Sequence, residues 1–261
     1  MATEVEALRL LVQIGSQVAL EAALGKMLTL AESSPGYGGF LAVFADCRSK
    51  EFAALLTNML GAQKTDRARR RVFAILAAMN GTEVIESLAA QLVNPSDQLH
   101  AQDCADMLAT ARDPGQVAAL ADLLESGKTP KIQALAACGL ASVGNQAACA
   151  ALVKNGSASD AIAAVCRDAL ATVGSSYGQE ALIKAAVTPA VPSAVRCAAV
   201  QALAGQPGQR VEAVLVNLGQ ATADPALQAV IAQALPSVVT SVPSPESLSM
   251  AGVVGMNGEM F

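Results

Sequence analysis

Two segments decide the fold: T-P-K-I-Q-A-L-A-A-C-G-L-A-S-V-G, from Thr129 to Gly144, and A-S-D-A-I-A-A-V-C-R-D-A-L-A-T-V-G, from Ala158 to Gly174. Each is a run of small apolar residues that ends on a leucine, Leu140 or Leu170, with a glycine four positions later. One amphipathic helix cannot bury its own apolar stripe, so a chain that repeats such a helix at about thirty residues must stack the copies on one another. The pattern is that of a helical solenoid.

Outward from this stretch the landmark recurs as Phe44, Leu76, Leu108, Leu140, Leu170, Leu203 and Leu235, at spacings of 32, 32, 32, 30, 33 and 32 residues. Each landmark lies in the second helix of a unit, and an amphipathic first helix fills the gap before it. First helices are expected at about 17–31, 50–61, 82–92, 115–126, 146–154, 178–187 and 209–219. Second helices are expected at about 36–46, 65–79, 97–110, 130–143, 159–173, 192–204 and 225–238. A lone helix at about 3–14, with Thr3 as its N-cap, closes the N-terminal end. Asn94-Pro95, Asp113-Pro114 and Asp224-Pro225 each place a capping side chain before a proline, which a first helical turn tolerates. Gly81, Gly144 and Gly174 follow second helices, where a left-handed residue ends the helix well. The run Ser33-Ser34-Pro35-Gly36-Tyr37-Gly38-Gly39 is the loosest interior turn and marks a short second helix, a distorted unit or a hinge.

Composition agrees with this reading. The 261 residues are 53% hydrophobic but only 3% aromatic, with no Trp, which describes an all-α core of Ala, Leu and Val. No window reaches the roughly eighteen apolar residues of a membrane span, and the start M-A-T-E-V-E lacks the features of a signal peptide, so a cytoplasmic protein is expected. A net charge of −5 argues against a surface committed to nucleic acid. The cysteines Cys47, Cys104, Cys138, Cys149, Cys166 and Cys197 form no C-x-x-C pair and sit in apolar helical runs, as small buried hydrophobes kept reduced.

The segments V-R-C-A-A-V-Q-A-L at 195–203 and D-P-A-L-Q-A-V-I-A-Q-A-L at 224–235 resemble the second-helix consensus of HEAT repeats. The resemblance covers about residues 15–238, and the short unit is similar to the bacterial repeats also found in phycobilisome lyases. The expected architecture is a right-handed α–α superhelix of about seven two-helix repeats over residues 1–239, roughly 70 Å long, with an extended tail at 240–261. In the family the position seven before the landmark often carries Arg in a polar ladder with acidic residues of neighbouring repeats. Here the column reads Arg69, Ala101, Gln133, Ala163, Arg196 and Gln228, so the ladder is interrupted.

Three constellations carry the functional expectations. K-T-D-R-A-R-R-R at 64–71 is the dense charge cluster, and on a helix Arg67, Arg70 and Arg71 gather to grip a phosphate or a partner's acidic patch. The other reading of these arginines is a solvated helix start paired with local acids. The tail cannot fold alone, yet Met250, Met256, Met260 and Phe261 suit a linear motif that orders on a partner or another copy; otherwise it is a disordered end. His100 and Cys104, at i and i+4 beside Asp97 and Asp103, sketch a metal site, but no second His exists to complete it, so a surface histidine beside a core cysteine is expected. No nucleophile motif, phosphate loop or dinucleotide fingerprint occurs, so neither cofactor nor small-molecule substrate is expected. The leading expectation is a non-enzymatic interaction scaffold or accessory subunit of a cytosolic assembly, docking protein partners. Two alternatives stand beside it. A bilin lyase or chaperone-like subunit is what the lyase resemblance implies. Binding of nucleic acid or lipid through the arginines is opposed by the net acidity.

Overall fold

Helices begin where a side chain satisfies the backbone N–H groups that a first turn leaves open. In the computed structural model Thr129 Oγ1 accepts from the Ile132 N–H at 3.2 Å, with Pro130 opening the helix. Asn145 Oδ1 accepts from Ala148 at 2.9 Å, and Asp224 Oδ1 from Ala226 and Leu227 at 3.0 and 3.3 Å. Asp113 Oδ1 accepts from Gly115 at 2.6 Å and starts a 3₁₀ turn, Pro114–Gln116. The structure describes residues 5–7, 9–10 and 17–240, apart from 32, 35, 46, 63–65, 80, 94–97, 112, 159–160 and 207. The Thr3 and Asn94 caps therefore lie outside the described residues, although residues 5–7 and 9–10 are helical and Val5 packs on the core.

Among the described residues from position 17 onward there are fourteen α-helices and no strand. They are α1 Gln17–Thr29, α2 Tyr37–Ala45, α3 Lys50–Ala62, α4 Asp66–Ala78, α5 Thr82–Val93, α6 Gln98–Ala109 and α7 Val117–Ser126. The rest are α8 Pro130–Val143, α9 Gln146–Gly156, α10 Ile162–Ala171, α11 Gln179–Val187, α12 Ser193–Ala204, α13 Gln209–Ala221 and α14 Pro225–Thr240. Each odd helix packs on the even helix that follows, giving an all-α array of stacked helical pairs. Of the expected stop signals, Gly144 takes the left-handed φ of 57° and donates to Leu140 O at 2.9 Å. Gly174 does not: the chain ends α10 earlier through i→i−3 bonds from Thr172 and Val173, a 3₁₀ tightening that needs no positive φ.

Second helices stack on second helices along the array: α2 on α4, then α6 on α8, α8 on α10, α10 on α12 and α12 on α14. One step is looser. Among the described residues α4 and α6 approach each other less closely than the other successive second helices, and α6 leans also on α3. The buried apolar residues accordingly form two cores. The N-terminal one is built around Met27, Phe40, Leu56 and a stacked pair, Phe44 and Phe52, whose rings lie 5.8 Å apart. The C-terminal one is mainly Ala, Leu and Val, and includes Leu120, Leu140, Leu170 and Leu203. α5 and α6 straddle the seam: Val84, Leu88, Cys104 and Met107 face the first core, Ile85 and Leu108 the second. The loose turn before α2 does leave that helix short, but α2 keeps its stacking, so the discontinuity falls one pair later than the glycines suggest.

Candidate functional site

The seam opens as a cleft of about 550 Å³. Its walls are Phe73, Leu76 and Ala77 from the end of α4, Val84, Ile85 and Leu88 from the start of α5, and Met107, Thr110 and Ala111 from the end of α6 and just beyond. Asp113, Pro114 and Gln116 complete the rim, where the buried Gln116 amide donates to Met79 O at 3.4 Å and closes one end. Leu76, Val84, Ile85 and Leu88 are buried, so the floor is apolar, while Ala77, Thr110 and Pro114 on the lip face solvent. Short repeats normally close such a gap by bringing second helices to 8–10 Å; here the displacement of α6 toward α3 holds it open.

The arginine cluster divides. Arg67 and Arg70 are exposed on α4. Arg69 turns across to Asp103 on α6, the one rung of the expected ladder that joins neighbouring pairs, both side chains being mostly buried. Arg71 corrects the expectation of a partner contact. It is 2% exposed and its guanidinium donates to the carbonyls of Leu28 and Leu30, where α1 ends. A guanidinium there satisfies orphan carbonyls and faces the negative end of the helix dipole. Lys64 lies outside the described residues.

The same chemistry accounts for the interrupted column. Gln133 donates to Leu124 O at 3.0 Å, Arg196 to Ala186 O at 2.9 Å and Gln228 to Thr222 O at 2.8 Å. Each acceptor closes the first helix of the donor's own pair, so these side chains are C-terminal caps inside a pair rather than rungs between pairs.

His100 also departs from expectation. It is buried at 1% exposure and its Nε2 lies 2.9 Å from Thr57 O on α3, which makes it the polar pin that holds α6 against α3. Among the described residues no three His, Cys, Asp or Glu side chains gather as metal ligands. Four thiols are buried as expected, but Cys138 is exposed and Cys197 half-buried. Burial, with the Asp103 carboxylate adding, pushes the Cys104 thiol up to about 12, and burial pushes Cys149 up to about 11. Alkylation of native protein at pH 8, mapped by mass spectrometry, is therefore expected to modify Cys138 first and to spare Cys47, Cys104, Cys149 and Cys166 until the chain is unfolded. Since Cys104 and Cys149 titrate higher folded than unfolded, their contribution to stability is complete below about pH 8.5 and is lost as the pH climbs through 11 to 12. Cys104→Ala should flatten that alkaline decline; an unchanged slope in a pH series of urea midpoints would contradict the assignment.

Met250, Met256, Met260 and Phe261 lie outside the described residues. Among the described residues no helix is long and apolar enough to cross a membrane.

No protein-family model matches the chain, and no curated protein matches it. Among solved structures the chain is similar to human deoxyhypusine hydroxylase in complex with glycerol, at 17% identity and a TM-score of 0.39, covering 91% of this chain and 96% of that one. It is also similar to the archaeal HEAT-like repeats protein from Thermococcus onnurineus NA1, at 13% identity and a TM-score of 0.30, covering 90% of this chain and 97% of that one.

Proposed function

We propose that this protein is a non-enzymatic interaction module, a scaffold or accessory subunit of a cytoplasmic assembly, which holds protein partners on the surface of its helical array. The observation that carries this reading is a single stripe on α4. Arg67, Arg70, Ala74 and Ala77 follow one another at helical spacing, leading from two exposed guanidinium groups to the lip of the apolar cleft. An acidic residue on a partner meets the arginines while an apolar side chain about 10 Å away enters the cleft, the usual pairing of a desolvated anchor with a charged rim. The rim charge contributes to encounter and register, the anchor to residence time.

The test is affinity capture on the full chain from its native source, in parallel with an Arg67→Glu/Arg70→Glu double variant. A stoichiometric protein partner is expected on the native chain, and the variant should retain at most about a tenth of it, with a steeper loss at low salt than at high. Equal capture by both chains would remove the arginines from the interface; turnover of a small molecule by the purified chain would overturn the reading altogether.

A further inference from the structure

We infer that the seam cleft is the seat of the chain's own C-terminal segment, with Met256, Met260 and Phe261 as apolar anchors and Glu259 beside Arg67 and Arg70. This rests on the proposal that the α4 stripe and its cleft are a docking surface, and it gives that surface an occupant from the same chain. Four observations converge on it.

The first is polarity of the array. Successive second helices meet at like registers, α4 and α6 at Arg69–Asp103, α6 and α8 at Leu108 and Gly139, α12 and α14 at Ser193–Asp224, so they run the same way and their C-terminal ends share one edge. The cleft is walled by the ends of α4 and α6 on that edge, and the tail departs from the end of α14 on the same edge. The second is reach. From α14 back to α4, where the arginines lie, there are five steps along the array, about 50 Å at the usual helix spacing. Residues 241–261 span up to about 66 Å when extended, so the last residues arrive with slack.

The third is charge. The segment 241–261 contains Glu246 and Glu259 and no Lys or Arg, in a chain with 17 basic residues. An acidic segment is drawn to the exposed Arg67 and Arg70 at the head of the stripe. The fourth is the chemistry of the anchors. The cleft is irregular and lined by aliphatic carbons, Met107 and Phe73, and unbranched thioether side chains fill such spaces better than branched ones. A tethered segment also meets the cleft at an effective concentration in the millimolar range for flexible links, so weak anchors suffice. Any partner that uses the stripe must first displace the tail, which makes the contact a built-in competitor for the docking surface.

The experiment is photo-crosslinking of the dilute full chain grown with photo-methionine, read by peptide mass mapping. Crosslinks are expected from the peptide bearing Met256 and Met260 to those bearing Phe73–Ala77 or Met107–Ala111. Ala77→Trp, which fills the lip from an exposed position, should lower their yield about tenfold, and Glu259→Lys, which reverses the charge offered to Arg67 and Arg70, severalfold; helix content and melting temperature report that both variants are folded. Crosslinks that avoid the cleft, or that persist undiminished in both variants, overturn the inference. An equal mixture of light and nitrogen-15 protein should give crosslinks within one isotope only; mixed pairs would overturn the assignment in favour of a neighbouring copy's tail. A native chain that shows no such crosslinks but still captures its partner through Arg67 and Arg70 would sink this inference alone, so the two readings fail separately.

Discussion

Arg71→Ala is expected to lower the stability of the N-terminal helical pairs by about 3 kcal/mol, the largest effect of any substitution in the arginine cluster. The estimate follows from what the guanidinium holds. It donates to two carbonyls, Leu28 and Leu30, that close α1, and hydrogen bonds to charged groups contribute about 1.5–3 kcal/mol each. Partial rehydration of the freed carbonyls keeps the sum from being simply additive. Arg71→Lys retains the charge but not the two-pronged geometry, and should recover less than half of the loss. Because a solenoid's stability is distributed over neighbour contacts, the loss should be local: amide exchange should accelerate in α1 and α2 while α8 to α14 hold their protection. The double change Arg67→Glu/Arg70→Glu, on exposed positions of the same helix, should move the urea midpoint hardly at all. A fully folded, equally stable Arg71→Ala protein would refute the capping role.

The contrast among these adjacent arginines shows what sequence can and cannot settle. Helices were readable because caps and period are local: Thr129 before Pro130, Asp224 before Pro225 and the landmark column all act within a few residues of themselves. Phe44, Leu76, Leu108, Leu140, Leu170 and Leu203 are each at most 1% exposed. Leu235 is only partly buried, because the array described here offers α14 no following pair to cover it.

Charge type alone does not say which arginine turns inward, since that depends on the end of α1, some forty residues away in the chain. Yet a signal existed. Arg71 occupies the position five before the landmark, where the next pair carries Asp103 but the later ones carry Leu135, Val165, Ala198 and Val230, apolar and at least half-buried. His100 likewise stands eight before the landmark, in line with Ile132, Ile162, Val195 and Leu227. A polar residue in an apolar column is a pin or a cap before it is a surface group. The seam between α4 and α6 had no comparable local sign. It arises from the way the His100 contact with Thr57 draws α6 toward α3, and such a register exists only once three helices have packed.

Gly139→Val is expected to destabilise the protein by about 3 kcal/mol and to split its unfolding into two steps. Gly139 sits on α8 where that helix crosses α6. A Cβ built there would lie 2.5 Å from Leu108 O and 3.0 Å from a Leu120 methyl. The methyl can rotate away but the backbone carbonyl cannot, so α6 or α8 must shift. In an open helical position, replacing Gly by Ala gains up to about 1 kcal/mol; Gly25 on α1, with nothing within 4 Å of its Cβ, should show that gain. At Gly139 overpacking costs typically about 1–3 kcal/mol and runs the other way, so even Ala should lose net stability and Val more. The second consequence follows from where the contact lies. α6 belongs to both cores, facing the first through Cys104 and Met107 and the second through Leu108, and its packing on α8 joins the cleft-bearing pairs to the C-terminal array. Prising α6 from α8 leaves the two cores coupled chiefly through their first helices. An array held by nearest-neighbour contacts then loses its single cooperative transition. Two urea transitions are expected, the N-terminal core reported by its clustered phenylalanines and the C-terminal core by amide exchange in α8 to α14. One undivided transition at the native midpoint would show that the crossing of α6 and α8 is not what binds the two cores into a single body.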